Sequence, residues 1–318
     1  MPRAGIFRVT FCGVAAAVAA CAGAAEPSHS ETQQRVNIEP RRAAKTAAHD
    51  RSRLRLDVSL VLVPVTVIDG TDRPVLDLPS KSFRVFEDNV EQKIVSFALE
   101  EGPVSIGFVF DASSSMRTRM AASIKAMQQF LKTANPEDEF LMVTFSDKAS
   151  LATGFTRDSD EILSTLSAVQ PAGWTALHDA ICLAIQRMKG ARNPRRALVV
   201  LTDGADNNSR YSEGEVRSLV RESDIRVYSI GIFERSRLLE NLAADTGSRA
   251  FRIHRLEDLP KTIEQLSREL RTEYVLGYSS NNLQKDGKYR KVRVEVMESP
   301  RRLPLNIFWR RGYFAPAD

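Results

Sequence analysis

Between residues 103 and 272 the sequence alternates two textures. Continuous apolar runs, VSIGFVF (104–110), EFLMVTFS (139–146), RALVVLTDG (196–204) and IRVYSIGIF (225–233), are separated by stretches with helical spacing. In RMAASIKAMQQFLKTA (119–134), Met120, Ile124, Met127 and Leu131 fall on one helical face. DEILSTLSAV (160–169), TALHDAICLAIQRMKG (175–190), EGEVRSLVRES (213–223), RLLENLAADTG (237–247) and EDLPKTIEQLSREL (257–270) also read as helices, and RAFRI (249–253) as a short strand. A strand that is apolar at nearly every position must be buried on both faces. Such strands joined by helices form a parallel sheet covered on both sides. The expected fold class is therefore α/β, a doubly wound, mostly parallel sheet.

The segments on either side are different. RLDVSLVLVPVTVIDG (55–70), SFRVFEDN (82–89) and EQKIVSFALE (91–100) are strand-like, with turns at Asp-Gly and Asp-Asn. Residues 273–318 return to the same texture in EYVLGYSS, KYRKVRVEVME and LPLNIFWRRGYF, punctuated by Asp286-Gly287 and Ser299-Pro300. Each flank is short for an independent domain. The expectation is that 53–102 and 273–318 pair into one small β-rich domain, with the α/β unit of 103–272 inserted between them. A fragment of 103–272 should then fold alone, and one of 53–101 should not.

The first residues have a different job. Arg3 and Arg8 precede FCGVAAAVAACAGAA (11–25), an apolar stretch shorter than the roughly 20 residues of a membrane span. A basic start, a short apolar run and small residues at its end read as a signal peptide over 1–24. Two maturation routes are open: cleavage after Ala24, or lipidation of Cys21, since VAAC (18–21) resembles a lipoprotein signal. Residues 25–52 are polar and basic and read as a flexible linker. The chain is expected to be exported, to the periplasm, the cell envelope or the exterior. Any membrane contact would come through a lipid anchor at Cys21.

In open α/β sheets, ligands sit beyond the carboxyl ends of the strands. Three features fall there. FVFDASSSM (108–116) ends an apolar strand in Asp111 and follows it with Ser113, Ser114 and Ser115. Thr175 follows Gly173-Trp174 and opens a helix, and Asp203 ends VVLTD. Residues 111, 113 and 115 are two apart, which in an extended segment sets them on one side. If the strands ending in Asp111 and Asp203 are neighbours, two carboxylates and several hydroxyls converge. An all-oxygen set suits a hard divalent cation, with Mg²⁺ the first expectation and Mn²⁺ or Ca²⁺ the alternatives. Two carboxylates only balance such an ion, which leaves it able to take a further carboxylate from a partner.

FVFDASSSM, GWTALHDA and LVVLTDGADN, in that order, resemble the von Willebrand factor A (VWFA) domain. That family has a metal-ion-dependent adhesion site with an Asp-x-Ser-x-Ser start, a distant Thr and a later Asp. The resemblance covers about 103–272. It implies a Rossmann-like fold and Asp111, Ser113, Ser115, Thr175 and Asp203 as metal ligands. The flanking segments, VTVIDGTDRPVLDLPSKSFRVFEDNVEQKIVSF and YVLGYSS with YRKVRVEV, resemble those of exported bacterial A-domain proteins of the type abundant in acidobacteria. Two positions depart from the family's pattern. Ser114 stands where Gly is common, at a place that would use glycine's backbone freedom, and with Trp174 it is a candidate partner-binding residue. Trp174 stands where Gly commonly precedes the Thr, and two roles are open for it: contact with a partner, or packing under the loop. Asp147, in TFSDKA, is either an acid supporting the ligands or a turn residue.

The implied function is a metal-dependent protein-binding or adhesion module that captures an Asp or Glu carboxylate of a protein partner. The alternative is a structural part of an envelope complex, with the metal incidental. A Mg²⁺-dependent phosphohydrolase using Asp111 ranks below both, because that chemistry wants a second acid and a Lys where this sequence offers hydroxyls. No Gly-x-Ser-x-Gly elbow or phosphate-cradling Gly-rich loop is present, so no enzyme is expected. His178 lacks a second His or a spaced carboxylate to complete a ligand set. Cys182, within an apolar helical run, reads as an inert core thiol. The net charge of +5 is modest and its basic excess is concentrated early in the chain, with no basic face interleaved with aromatics. Nucleic acid is therefore not an expected partner.

Overall fold

A computed structural model describes residues 60–297 and 304–317. The leader, the linker, Cys21 and the Ser299-Pro300 turn lie outside the described residues. The chain begins with β1 (Leu60–Asp69), β2 (Phe83–Glu87), β3 (Val90–Gln92) and β4 (Ile94–Glu101). The α/β unit follows as β5 (Val104–Asp111), α1 (Met120–Lys132), β6 (Glu139–Phe145), β7 (Ala149–Thr156), α2 (Ser159–Ala168), α3 (Leu177–Met188), β8 (Arg195–Thr202), α4 (Glu213–Glu222), β9 (Arg226–Ile232), α5 (Arg237–Thr246), β10 (Ala250–Ile253) and α6 (Leu259–Arg271). The last strands are β11 (Thr272–Ser279), β12 (Tyr289–Val296), β13 (Leu305–Trp309) and β14 (Gly312–Phe314).

Six strands form the central sheet in the order β10-β9-β8-β5-β6-β7. All pair in parallel except β7, which runs antiparallel to β6. As the apolar runs require, β5 is buried at all eight positions. One face packs against α1, α2 and α6 through residues such as Phe108, Phe130, Leu166 and Ile263. The other packs against α3, α4 and α5 through Val109, Ile181, Val220 and Leu242. This is the expected doubly wound α/β layout. The sequence reading passed over β7. Apart from Leu151 and Phe155 its residues, ASLATGFT, are small or polar, and only one position is buried, so this edge strand lacks the apolar signature of the central ones.

The flanks pair as the fold class requires. One four-stranded sheet has the order β13-β1-β11-β4 and the other β14-β12-β2-β3. Each mixes strands from before and after the α/β unit. They share one core, in which Val63, Val65, Tyr274 and Leu276 meet Phe83, Val85, Val292 and Val294. Phe83, Phe97 and Tyr274 cluster at 5.1–5.6 Å between ring centres, Phe97 stacked on Tyr274 and Phe83 tilted against both. Two runs that read as single strands are each divided, 91–100 into β3 and β4 and 303–314 into β13 and β14.

A buried ionic cluster joins the amino ends of the central strands to the β-rich part. Arg195, at the start of β8, donates Nε–H to Glu273 at 2.9 Å. Arg226, at the start of β9, donates to Glu273 at 2.5 Å, to the Thr66 hydroxyl at 2.9 Å and to the Gly247 carbonyl at 2.7 Å. Gly247 ends α5 at φ +74°, and a Cβ there would stand 2.4 Å from the Arg310 nitrogen. Only glycine permits both the left-handed cap and this close approach to the chain after β13.

Candidate metal site

The neighbour relation needed for the oxygen cluster is met. β5 and β8 pair in parallel with Phe110 opposite Leu201, so Asp111 and Asp203 emerge side by side. Both are buried, at 0% and 5% exposure. Asp111 accepts the Ser113 N–H at 2.8 Å on one oxygen and the Thr202 hydroxyl at 2.6 Å on the other. Burial pushes its carboxyl up from the ordinary range, and the Ser113 and Thr202 hydrogen bonds and the charge of Arg119 pull the other way.

Ser113 and Ser115 point together, with their hydroxyl oxygens 3.0 Å apart. Ser115 donates to Asp203 Oδ1 at 2.7 Å. Asp203 Oδ2 takes no hydrogen bond and faces the guanidinium of Arg119, with which it forms an ion pair. Ligands about 2.1 Å from an octahedral ion lie about 3.0 Å apart along an edge, so this oxygen spacing suits Mg²⁺ or Mn²⁺. Among the described residues no three His, Cys, Asp or Glu side chains gather as a metal-binding group. The set that fits a cation is two carboxylates with neutral hydroxyls.

Thr175 is brought in by the loop that carries it. Ala172 N–H donates to Ala112 O at 2.9 Å, Ser114 N–H to Gly173 O at 3.2 Å, and Ala176 N–H to Ser146 O at 2.9 Å. The Thr175 backbone is fixed by Asn207, whose side chain accepts its N–H at 2.8 Å and whose own N–H donates to its carbonyl at 3.0 Å. Among the described residues no hydrogen bond joins the Thr175 hydroxyl to the other four side chains, and the tie between its loop and the segment after β5 is made by the bonds of Ala112 and Ser114.

Gly173 turns this loop at φ +80°, and a Cβ there would meet Asp147 Oδ1 at 2.5 Å. The close approach has a purpose, because that oxygen accepts the Trp174 N–H at 2.8 Å. Asp147 thus holds the loop that presents Thr175. The Trp174 side chain is 64% exposed and does not pack beneath the loop. Ser114 lies in a short 3-10 turn (Ser114–Thr118), and its hydroxyl donates to Gly173 O at 3.1 Å. It is not among the non-glycine residues with positive φ, so glycine's freedom is not needed at this position.

The neighbouring residues are committed to structure. His178 Nδ1 lies 2.9 Å from Tyr211 O and 3.7 Å from Asp206. Burial, with the nearby acids Asp179 and Glu215, pushes the Cys182 thiol up to about 11, consistent with an inert core cysteine. Three groups have roles that sequence reasoning did not find, although Asp179 was legible as an acid at the start of a helix. Thr202 bridges to Asp111, and its adjacency to Asp203 in LVVLTDG was the available signal. Asp179 anchors the loop after β8 by accepting the Arg210 and Tyr211 N–H groups at 2.9 and 3.1 Å. Arg119 gave no signal, since an exposed-looking arginine before a helix is unremarkable in sequence.

Residues 106–205 match the family model of the von Willebrand factor type A domain. Human inter-alpha-trypsin inhibitor heavy chain H4 is 27% identical over 201 residues, covering 56% of this chain and 22% of that protein. An uncharacterized protein of Borreliella burgdorferi is 27% identical over 137 residues, 40% of each. The chain spans less than half the length of the curated relatives it matches. Among solved structures, proximal thread matrix protein 1 of the mussel byssus aligns with a TM-score of 0.51 at 23% identity, over 58% of this chain and 51% of that one. At that identity the likeness speaks for the fold alone. The family match and the parallel sheet with Asp111 and Asp203 at neighbouring strand ends agree, and residues 106–205 of this chain match the von Willebrand factor type A domain.

Proposed function

We propose that the chain is a metal-dependent protein-binding module of the cell envelope or exterior, and that Asp111, Ser113, Ser115, Thr175 and Asp203 hold a divalent cation, Mg²⁺ first. The observation that carries this reading is the spacing of the Ser113, Ser115 and Asp203 oxygens, 3.0 and 2.7 Å, between two buried carboxylates. When bound, the cation would supply an electrophile for a carboxylate of a protein partner. The hydroxyls contribute no charge, so the chain's own residues leave that electrophile unquenched. Asp147 and Asn207 keep the Thr175 loop in register, and the exposed Trp174 ring offers a partner an aromatic contact beside the site. Binding rather than turnover is favoured because the nearby imidazole, His178, is engaged by Tyr211 and Asp206. Export is supported by the basic, short apolar leader in the sequence. No helix among the described residues is long and apolar enough to cross a membrane.

The test is titration of the purified protein with Mn²⁺ and Mg²⁺ by calorimetry. Saturable binding with one ion per chain is expected, and Asp111→Ala should lose it while keeping the far-UV circular dichroism of the parent. Binding left unchanged in Asp111→Ala would sink the assignment.

A further inference from the structure

Arg119 belongs to none of the motif positions, yet its guanidinium is built into the site. It stands at the start of α1, and its Nη1–H donates to Ser115 O at 2.8 Å. It forms the ion pair with Asp203, whose side chain is fully buried. Its other side lies 5.1 Å above the Phe233 ring. Phe233 is held as a fixed platform. Its backbone has φ +68°, unusual for a bulky aromatic, and is pinned by its N–H to Ile253 O at 2.9 Å and by Arg252 on its carbonyl.

Counting charge shows what this arginine does. Asp111 and Asp203 carry two negative charges, and a divalent cation alone would cancel them. With Arg119 present, the same ion leaves the site one positive charge in excess, in a partly desolvated place where excess charge is costly. One carboxylate from a partner restores neutrality. We propose that Arg119 is the site's resident counter-cation: it competes for Asp203, lowers the affinity for the ion alone, and makes ion and acidic ligand bind cooperatively. The Phe233 face is the seat that keeps the guanidinium at hand when it yields Asp203. The proposal rests on the metal reading above.

The experiment is Mn²⁺ calorimetry on the full chain, in chloride buffer and with acetate as the carboxylate probe, for the parent, Arg119→Gln and Arg119→Lys. Melting in EDTA first establishes that each variant is folded. For the parent, acetate should tighten Mn²⁺ binding. Arg119→Gln should bind Mn²⁺ about tenfold tighter in chloride, a coupling of ordinary size, and lose most of the acetate effect. Arg119→Lys keeps the charge and should stay within about threefold of the parent, with the acetate effect retained. A glutamine variant that binds equally or more weakly overturns the proposal while leaving the metal reading intact; it would mean that Arg119 only positions Asp203. A lysine variant as tight as predicted for glutamine overturns the charge account by itself. Absence of Mn²⁺ binding in all three overturns the metal reading and this proposal with it.

Discussion

The two ends of the central sheet both bury acids, and they treat them in opposite ways. At the amino ends of the strands, Glu273 is gripped by Arg195 and Arg226, and Glu269 pairs with Arg249. At the carboxyl ends, Asp111 and Asp203 are met by Ser113, Ser115 and Thr202, with Arg119 as the one guanidinium among the described residues paired to either of them. A carboxylate surrounded by guanidinium groups is spent on holding the molecule together. One surrounded by hydroxyls keeps most of its charge for something else. The partners of a buried acid, more than its burial, decide whether it is scaffold or site.

The largest effect should come from the scaffold end. Glu273→Gln leaves Arg195 and Arg226 buried with too little counter-charge and should cost about 3–5 kcal/mol in urea denaturation. Mn²⁺ affinity of the folded fraction should be unchanged. A large loss of ion binding with little loss of stability would break the division between the two ends. A smaller, inverse effect is expected at the site end. Trp174→Ala should leave stability within about 0.5 kcal/mol while weakening capture of an acidic protein partner by about 2 kcal/mol, as for an exposed aromatic anchor.

The smallest effect sharpens the same division through pH. Burial alone would raise the Asp245 carboxyl, but hydrogen bonds from Arg217 and Arg221 outweigh it and set it below its ordinary range. A carboxyl depressed in the fold stabilises above its unfolded-state value and loses that contribution as pH falls through the folded value. The melting temperatures of the parent and Asp245→Asn should therefore differ at pH 7 and converge in acid. A gap that stays constant with pH would show that the arginine pairs contribute nothing through charge.

What could be read in advance follows the same contrast. The strands buried on both faces announced themselves as apolar runs, and the order of Asp111, Thr175 and Asp203 pointed to the candidate site, because strand ends are fixed by local sequence. The scaffold end was silent. Glu273 meets Arg195 across 78 positions and Arg226 across 47, and nothing local marks either partner. The β7 edge was missed for want of apolar residues. Arg119 was missed because its meaning depends on Phe233 and Asp203, each about a hundred positions away.

The pairing of β1 with β11 has a mechanical side. The strands are antiparallel, with Leu60 opposite Ser279 and Val65 opposite Tyr274, while β11 leaves the α/β unit at Thr272. Tension between a partner held at the site and the chain ahead of Leu60 would pull the two strands from opposite ends of their ladder. Their hydrogen bonds would then be loaded in shear, all at once, instead of being opened singly like a zipper. Pulling single molecules between those two points in an optical trap would read this as a high, sharp rupture force. For the binding role proposed above, that is a fitting direction in which to be strong.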